Sequence, residues 1–127
     1  MAANKILVAD DDPVILGLLE VNFEMEGFDV VTAGDGAAAL ERAQATRPDV
    51  IVLDVMMPKM TGHEVAAALR DDPDLASIPI VFVSAKAQGA DVARGMELGA
   101  ADYVTKPFDP IELVERVTAV LEQSRAR

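Results

Sequence analysis

Cysteine is absent from all 127 residues, so the chain has no disulfide framework, no thiolate zinc site and no cysteine nucleophile. Together with the lack of a signal-peptide pattern, this points to a cytoplasmic protein. Basic residues are scarce: eleven Lys and Arg against 22 Asp and Glu give a net charge of −11, which disfavours nucleic acid and anionic membranes as partners and favours proteins or cations. No apolar run approaches the roughly 20 residues that span a bilayer. The 51% hydrophobic content is instead divided among short runs and alanine-rich amphipathic stretches. No linker, low-complexity tract or internal repeat breaks the chain, and its length suits one domain that buries roughly two-thirds of its unfolded surface.

Five short apolar or β-branched runs stand out: "ILVA" from Ile6, "DVVTA" from Asp29, "VIVLD" from Val50, "IPIVFVS" from Ile78 and "DYVTK" from Asp102. Continuous runs of this kind suit strands buried on both faces. Between them the spacing is helical, as in an apolar stripe facing a core, most clearly at Val14, Leu18, Val21 and Met25, and again at Leu113, Val114, Val117, Val120 and Leu121. Helix-start chemistry marks the boundaries. Asp12-Pro13 reads as N-cap and first-turn proline, Thr61 with Glu64 as a capping box, and Asp109-Pro110 with Glu112 carries both signals. Strand and helix alternate five times, which implies a parallel sheet with right-handed crossovers and helices on both faces, a doubly wound α/β sandwich.

In open sheets of this type ligands bind beyond the carboxyl ends of the strands, where strand order reverses. Asp10 and Asp11 follow the first run, Asp54 ends the third, Ser84 ends the fourth, and Lys106 lies just past the fifth in "YVTKPF". Adjacent carboxylates about 4 Å apart repel by roughly 1 kcal/mol in water and about 4 kcal/mol at an effective dielectric near 20. A hard, oxygen-seeking cation such as Mg²⁺ offsets that repulsion. A carboxylate beside a cation and a lysine is also a candidate phosphoryl acceptor, because alignment and charge neutralisation dominate phosphoryl transfer. Asp12 is assigned to the helix cap instead. Taken singly, each of these residues has a plainer role as a turn, cap or surface group; their meeting at one sheet edge is what points to a site.

The stretches "KILVADDDP", "PDVIVLDVMMPKMTG", "IPIVFVSA" and "GAADYVTKPF" closely resemble the receiver domain of two-component response regulators, in its single-domain, chemotaxis-regulator-like form. The resemblance implies a flavodoxin-like (βα)5 sandwich with strand order 2-1-3-4-5, occupying residues 1–127 as one receiver domain. It further implies Asp54 as phosphoacceptor, Asp10 and Asp11 as the acidic pair that holds Mg²⁺ with Asp54 and the Met56 carbonyl, and Ser84 and Lys106 as phosphoryl-binding and signalling residues. Tyr103 is the implied switch aromatic, and the peptide before Pro107 is implied to be cis. The implied phosphodonor is a histidine kinase or histidine phosphotransfer protein. The implied output runs through a surface from about Gly89 to Val120 to a downstream protein or to an effector domain outside these residues. Such a protein is a switch that catalyses its own phosphorylation and dephosphorylation, not an enzyme acting on a separate substrate.

Other readings fit the residues less well. An aspartyl phosphatase of the haloacid dehalogenase type needs a second Asp two residues after the nucleophile, where Met56 stands. A flavin-binding module needs a phosphate-friendly loop after the first strand, where three Asp repel phosphate. A degenerate receiver that binds partners without phosphorylation would not keep the full set of five site residues. Met56 and Lys86 are expected to flank the phosphoryl group, Met56, Met57 and Met60 to serve as adaptable packing, and His63 to be an ordinary surface residue.

Overall fold

The computed structural model describes residues 4–85 and 89–125. The alternating pattern resolves into β1 (Lys5–Ala9), α1 (Pro13–Met25), β2 (Asp29–Ala33), α2 (Gly36–Thr46), β3 (Val50–Asp54), α3 (Gly62–Arg70), β4 (Ile80–Ser84), α4 (Gly89–Glu97), β5 (Asp102–Thr105) and α5 (Pro110–Arg125). All strand pairs are parallel and the order is β2-β1-β3-β4-β5. The chain therefore reverses direction of winding between β1 and β3, and the carboxyl ends of these two central strands define the crevice.

The central strands β1, β3 and β4 are apolar along nearly their whole length because alternate residues serve different layers. Leu7, Ile51, Leu53 and Phe82 pack with Ala39, Ala43, Val65 and Leu69 of α2 and α3. Ile6, Val8, Val52, Val81 and Val83 pack on the other face with Leu19, Phe23, Leu113 and Val117 of α1 and α5. β4 starts at Ile80, two residues later than its apolar run suggests. Pro79 has no N–H to give the ladder, although its carbonyl still accepts from Ile51 N–H at 3.0 Å.

The caps fall where the sequence places them. Asp12 accepts from Val14 N–H at 2.9 Å ahead of Pro13, Thr61 and Glu64 complete a reciprocal capping box, and Asp109 accepts from Ile111 N–H at 2.9 Å. α2 has a cap the sequence reading passed over, Asp35, which accepts from Ala38 N–H at 2.7 Å.

One expectation needs correcting. The apolar stripe of α1 faces outward: Val14 is 76% exposed, Leu18 44%, Val21 57% and Met25 79%, whereas Leu19 and Phe23 are buried. Ile15 and Leu16 complete the inward face. α1 carries two apolar stripes side by side, and a helical period alone does not say which one meets the sheet. In α5 the expected set Leu113, Val114, Val117, Val120 and Leu121 is buried throughout. Among the described residues no helix is long and apolar enough to cross a membrane.

Candidate functional site at the carboxyl edge of the sheet

Asp10 is the first residue beyond β1, held by its N–H donating to the Ala33 carbonyl of β2 at 3.1 Å. Its carboxylate turns back on the chain and accepts from Asp12 N–H at 2.9 Å. Asp54 closes β3, and α3 begins almost against it: a Cβ on Gly62 would lie 2.4 Å from the Asp54 carbonyl oxygen. Gly62 N–H donates to Val55 O at 2.9 Å, so only glycine lets the helix start this close to the strand end. β4 delivers Ser84, fully buried, and its carbonyl accepts from Lys106 N–H at 2.9 Å as the chain leaves β5. The Lys106–Pro107 peptide is cis.

The topology thus brings together the residues singled out from the sequence. Asp10 and Asp54 are 2% and 3% exposed while Asp11 is open to solvent, and carboxylate oxygens from all three lie within 4.8 Å of one another. Lys106 Nζ donates to Asp10 at 2.8 Å and lies 3.4 Å from Asp54. The ammonium therefore bridges the two buried acids. With two carboxylates in reach at low exposure, the position between them gains attraction from both.

One ammonium against three carboxylates leaves the cluster net negative, and the donors are hard oxygens. The set fits a Mg²⁺-type ion with an open, hydrated side at Asp11. Asp12 stays outside it, engaged in capping α1.

Burial and the neighbouring Asp10 charge push the Asp54 carboxyl from its ordinary 3.8 up to about 6, opposed by the Lys106 ammonium and a hydrogen bond from Met56 N–H at 3.3 Å. Above that value Asp54 is ionised. For Lys106, burial disfavours the ammonium, but the hydrogen bond to Asp10 and the Asp54 and Asp10 charges outweigh it and leave its pKa raised. Tyr103, on β5, has its phenol pushed up by burial, partly offset by the Ser84 side chain. The Tyr103 ring lies 5.9 Å from that of Phe82.

Met56 is 49% exposed beside Asp54, whereas Met57 is buried and Met60 packs against the core. Lys86 lies outside the described residues. His63 departs from its expected surface position: it is half-buried, with its ring edge-on to Phe82 at 5.1 Å. It stands three residues before buried Ala66 and so shares the inward face of α3, a spacing that was visible in the sequence.

Comparison with known proteins bears on nearly the whole chain. Residues 6–118 match the model of the response regulator receiver domain. The alkaline phosphatase synthesis transcriptional regulatory protein PhoP of Bacillus subtilis is 49% identical over 120 residues, 94% of this chain and 49% of that protein. The DNA-binding response regulator MtrA of Mycolicibacterium smegmatis is 46% identical over 94% of this chain and 51% of its own length. The chain spans about half the length of these curated relatives. Among solved structures, the chemotaxis response regulator CheY4 of Vibrio cholerae superposes with a TM-score of 0.88 at 34% identity, covering 94% of this chain and 99% of that one. The receiver domain of the Francisella response regulator 1452 gives a TM-score of 0.88 at 36% identity over 95% and 98%. With motif spacing, strand order and site geometry in agreement over nearly its full length, the chain belongs to the response regulator receiver family of two-component systems.

Proposed function

We propose that residues 1–127 act as a phosphorylation switch in which Asp54 accepts a phosphoryl group from a partner's phosphohistidine with Mg²⁺ bound at Asp10, Asp11, Asp54 and the Met56 carbonyl. The observation that carries this reading is the buried meeting of Asp54, Asp10 and Lys106, with Asp11 at the solvent edge. In the transfer, an Asp54 carboxylate oxygen forms the new P–O bond while the P–N bond to the donor imidazole breaks, and the imidazole leaves carrying a proton as the neutral ring. When bound, the metal neutralises phosphoryl oxygens. Asp10 and Asp11 hold and orient it, the Lys106 ammonium lies within reach of the charge that builds on Asp54, and the buried Ser84 at the end of β4 donates its hydroxyl to a phosphoryl oxygen. Burial restricts water, which prolongs the life of the acyl phosphate. Hydrolysis at the same site returns the protein to its starting state.

The donor's docking face, on this reading, is the exposed stripe of α1. It begins at Val14, immediately beyond the Asp12 cap, and continues through Leu18, Val21 and Met25 toward Ile111 at the start of α5. A groove of about 580 Å³ between α1 and α5 is lined by Met25, Ile111 and Val114 with Glu26, Glu115 and Glu122. An apolar helical face with basic flanks complements it, as a histidine kinase or phosphotransfer protein would supply.

Output follows from Ser84 and Tyr103. A hydroxyl drawn to the phosphoryl group vacates space into which the aromatic turns, and the surface of α4, β5 and α5 shifts. The relatives named as transcriptional or DNA-binding regulators support an effector domain as the recipient of that shift.

The test is intact-mass measurement after incubation with a small phosphodonor such as acetyl phosphate. One added phosphoryl group is expected with Mg²⁺ and none with chelator. Equal labelling of Asp54→Asn, or no labelling of the native chain, would reject the assignment.

A further inference from the structure

His63 is the only histidine in the chain, and the phosphoryl chemistry does not use it. It occupies the second position of α3. Its Nε2 is buried with no hydrogen-bond partner among the described residues, and its ring stands at 89° to Phe82 with centroids 5.1 Å apart. Phe82 lies against Tyr103, its neighbour across the β4–β5 ladder. Over this pair rests α4: a Cβ on Gly95 would come within 3.1 Å of both Phe82 Cδ2 and Tyr103 Cδ2. Histidine, phenylalanine and tyrosine thus form a continuous series from α3 across β4 to β5, with α4 as its cover.

A neutral imidazole suits this place better than a charged one. Protonation makes both ring nitrogens donors, leaves the buried one without an acceptor, and sets a positive charge at the positive end of α3. Among the described residues the charges that act on it come from α4: Arg94 repels the imidazolium and Asp91 attracts it. β4 offers the Phe82 ring and β5, behind it, the Tyr103 phenol, which stays neutral because burial raises its pKa above the ordinary 10.0. On α3 itself, Glu64 is exposed and already accepts from Thr61 N–H at 3.0 Å. Burial and Arg94 together hold the imidazole below its ordinary 6.5, with Asp91 opposing.

We propose that His63 is a proton-operated brace beneath α4. Neutral, it holds Phe82 and α4 as described; protonated, it draws Asp91 toward itself and displaces α4 across the Phe82–Tyr103 pair. Mild acidification then moves the signalling surface in the absence of a phosphoryl group. This rests on the proposed reading of Tyr103 as the switch aromatic. The step adds one proton from solvent to the ring and breaks no covalent bond. Because the folded pKa lies below the unfolded one, the contribution of neutral His63 to stability is complete above about 6.5 and declines as pH falls below that value.

The chain has one tyrosine and no tryptophan, so its intrinsic emission reads Tyr103 alone. Tyr103 emission, His63 ring chemical shifts and α4 amide shifts are followed from about pH 8 to about pH 5 in Mg²⁺-free buffer. The expected result is a Tyr103 transition that tracks the His63 titration, with a midpoint below 6.5. It persists in Asp54→Asn, where the titration of Asp54 near pH 6 is removed, disappears when His63→Leu is added to that variant, and moves to lower pH in Asp91→Asn. Persistence in the His63→Leu, Asp54→Asn double variant, loss in Asp54→Asn alone, or titration of His63 in the native chain without change at Tyr103 or α4 would overturn the proposal. The comparison within the native protein needs no variant to fold. It is also independent of phosphoryl labelling, so failure here and failure of the phosphoacceptor assignment are separate results.

Discussion

Replacing Asp54 with asparagine removes the charge that burial and Asp10 disfavour while keeping the side chain's shape. The predicted consequence is a more stable protein. A carboxyl raised from 3.8 to about 6 in the fold is linked to at most about 3 kcal/mol of lost stability at neutral pH. Solvent reaching the site through exposed Asp11 screens part of this, so the expected gain is about 1–2 kcal/mol. The sign follows from proton counting. Between about pH 4 and about pH 6 the folded state holds a proton on Asp54 that the unfolded chain has released, so native stability falls as pH rises through that window and levels off above it. Asparagine has no such dependence. Urea unfolding of both proteins in chelator, at about pH 4 and about pH 7.5, measures the difference. It should be near zero at the lower pH and largest at the higher. Mg²⁺ should narrow the gap at neutral pH by stabilising the native chain through binding. An Asp54→Asn variant no more stable than the native protein at neutral pH, or a gain that ignores pH, would refute the reasoning.

Three other perturbations separate roles within the site. Asp12→Ala should lose about 1 kcal/mol through the α1 cap yet retain Mg²⁺-dependent labelling, as denaturation and intact mass would show. Lys106→Ala uncovers Asp10 and Asp54 to each other, and we predict a loss of about 2–3 kcal/mol at neutral pH, less than for a fully buried pair. That loss should shrink near pH 5, where Asp54 is protonated, and unfolding curves at the two pH values check it. Leu18→Glu, on the outward stripe of α1, should leave stability within about 0.5 kcal/mol and labelling by acetyl phosphate unchanged, while slowing transfer from a phosphorylated partner kinase in a stopped-time assay.

The fold was legible because each strand needs apolar residues for both of its faces, which makes Val50 to Leu53 or Val81 to Val83 hard to read as anything else. Asp12, Thr61 and Asp109 announced their helices through short-range capping chemistry that needs no tertiary context. The limits of legibility have equally definite causes. Val14, Leu18, Val21 and Met25 have a helical period as clean as that of α5, but α1 bears a second apolar stripe, and only packing on β1, β2 and α5 selects Ile15, Leu16, Leu19 and Phe23 for the interior. The site residues could be named because strand ends converge at one edge; their pairing could not. That Lys106 bridges Asp10 and Asp54 depends on side-chain reach across an edge built from residues 96 positions apart. His63 falls in the first turn after Thr61, which suggested a surface place, but its spacing from Ala66 puts it on the inward face of α3.

The central claim is that Asp54, among three acids within one small cluster, is the residue that takes the phosphoryl group. Borohydride reduction of the protein after Mg²⁺ and acetyl phosphate treatment converts an aspartyl phosphate to homoserine, and peptide mapping locates it. Homoserine at position 54 alone is predicted. Homoserine at Asp10 or Asp11, or at none of the three, would contradict the account.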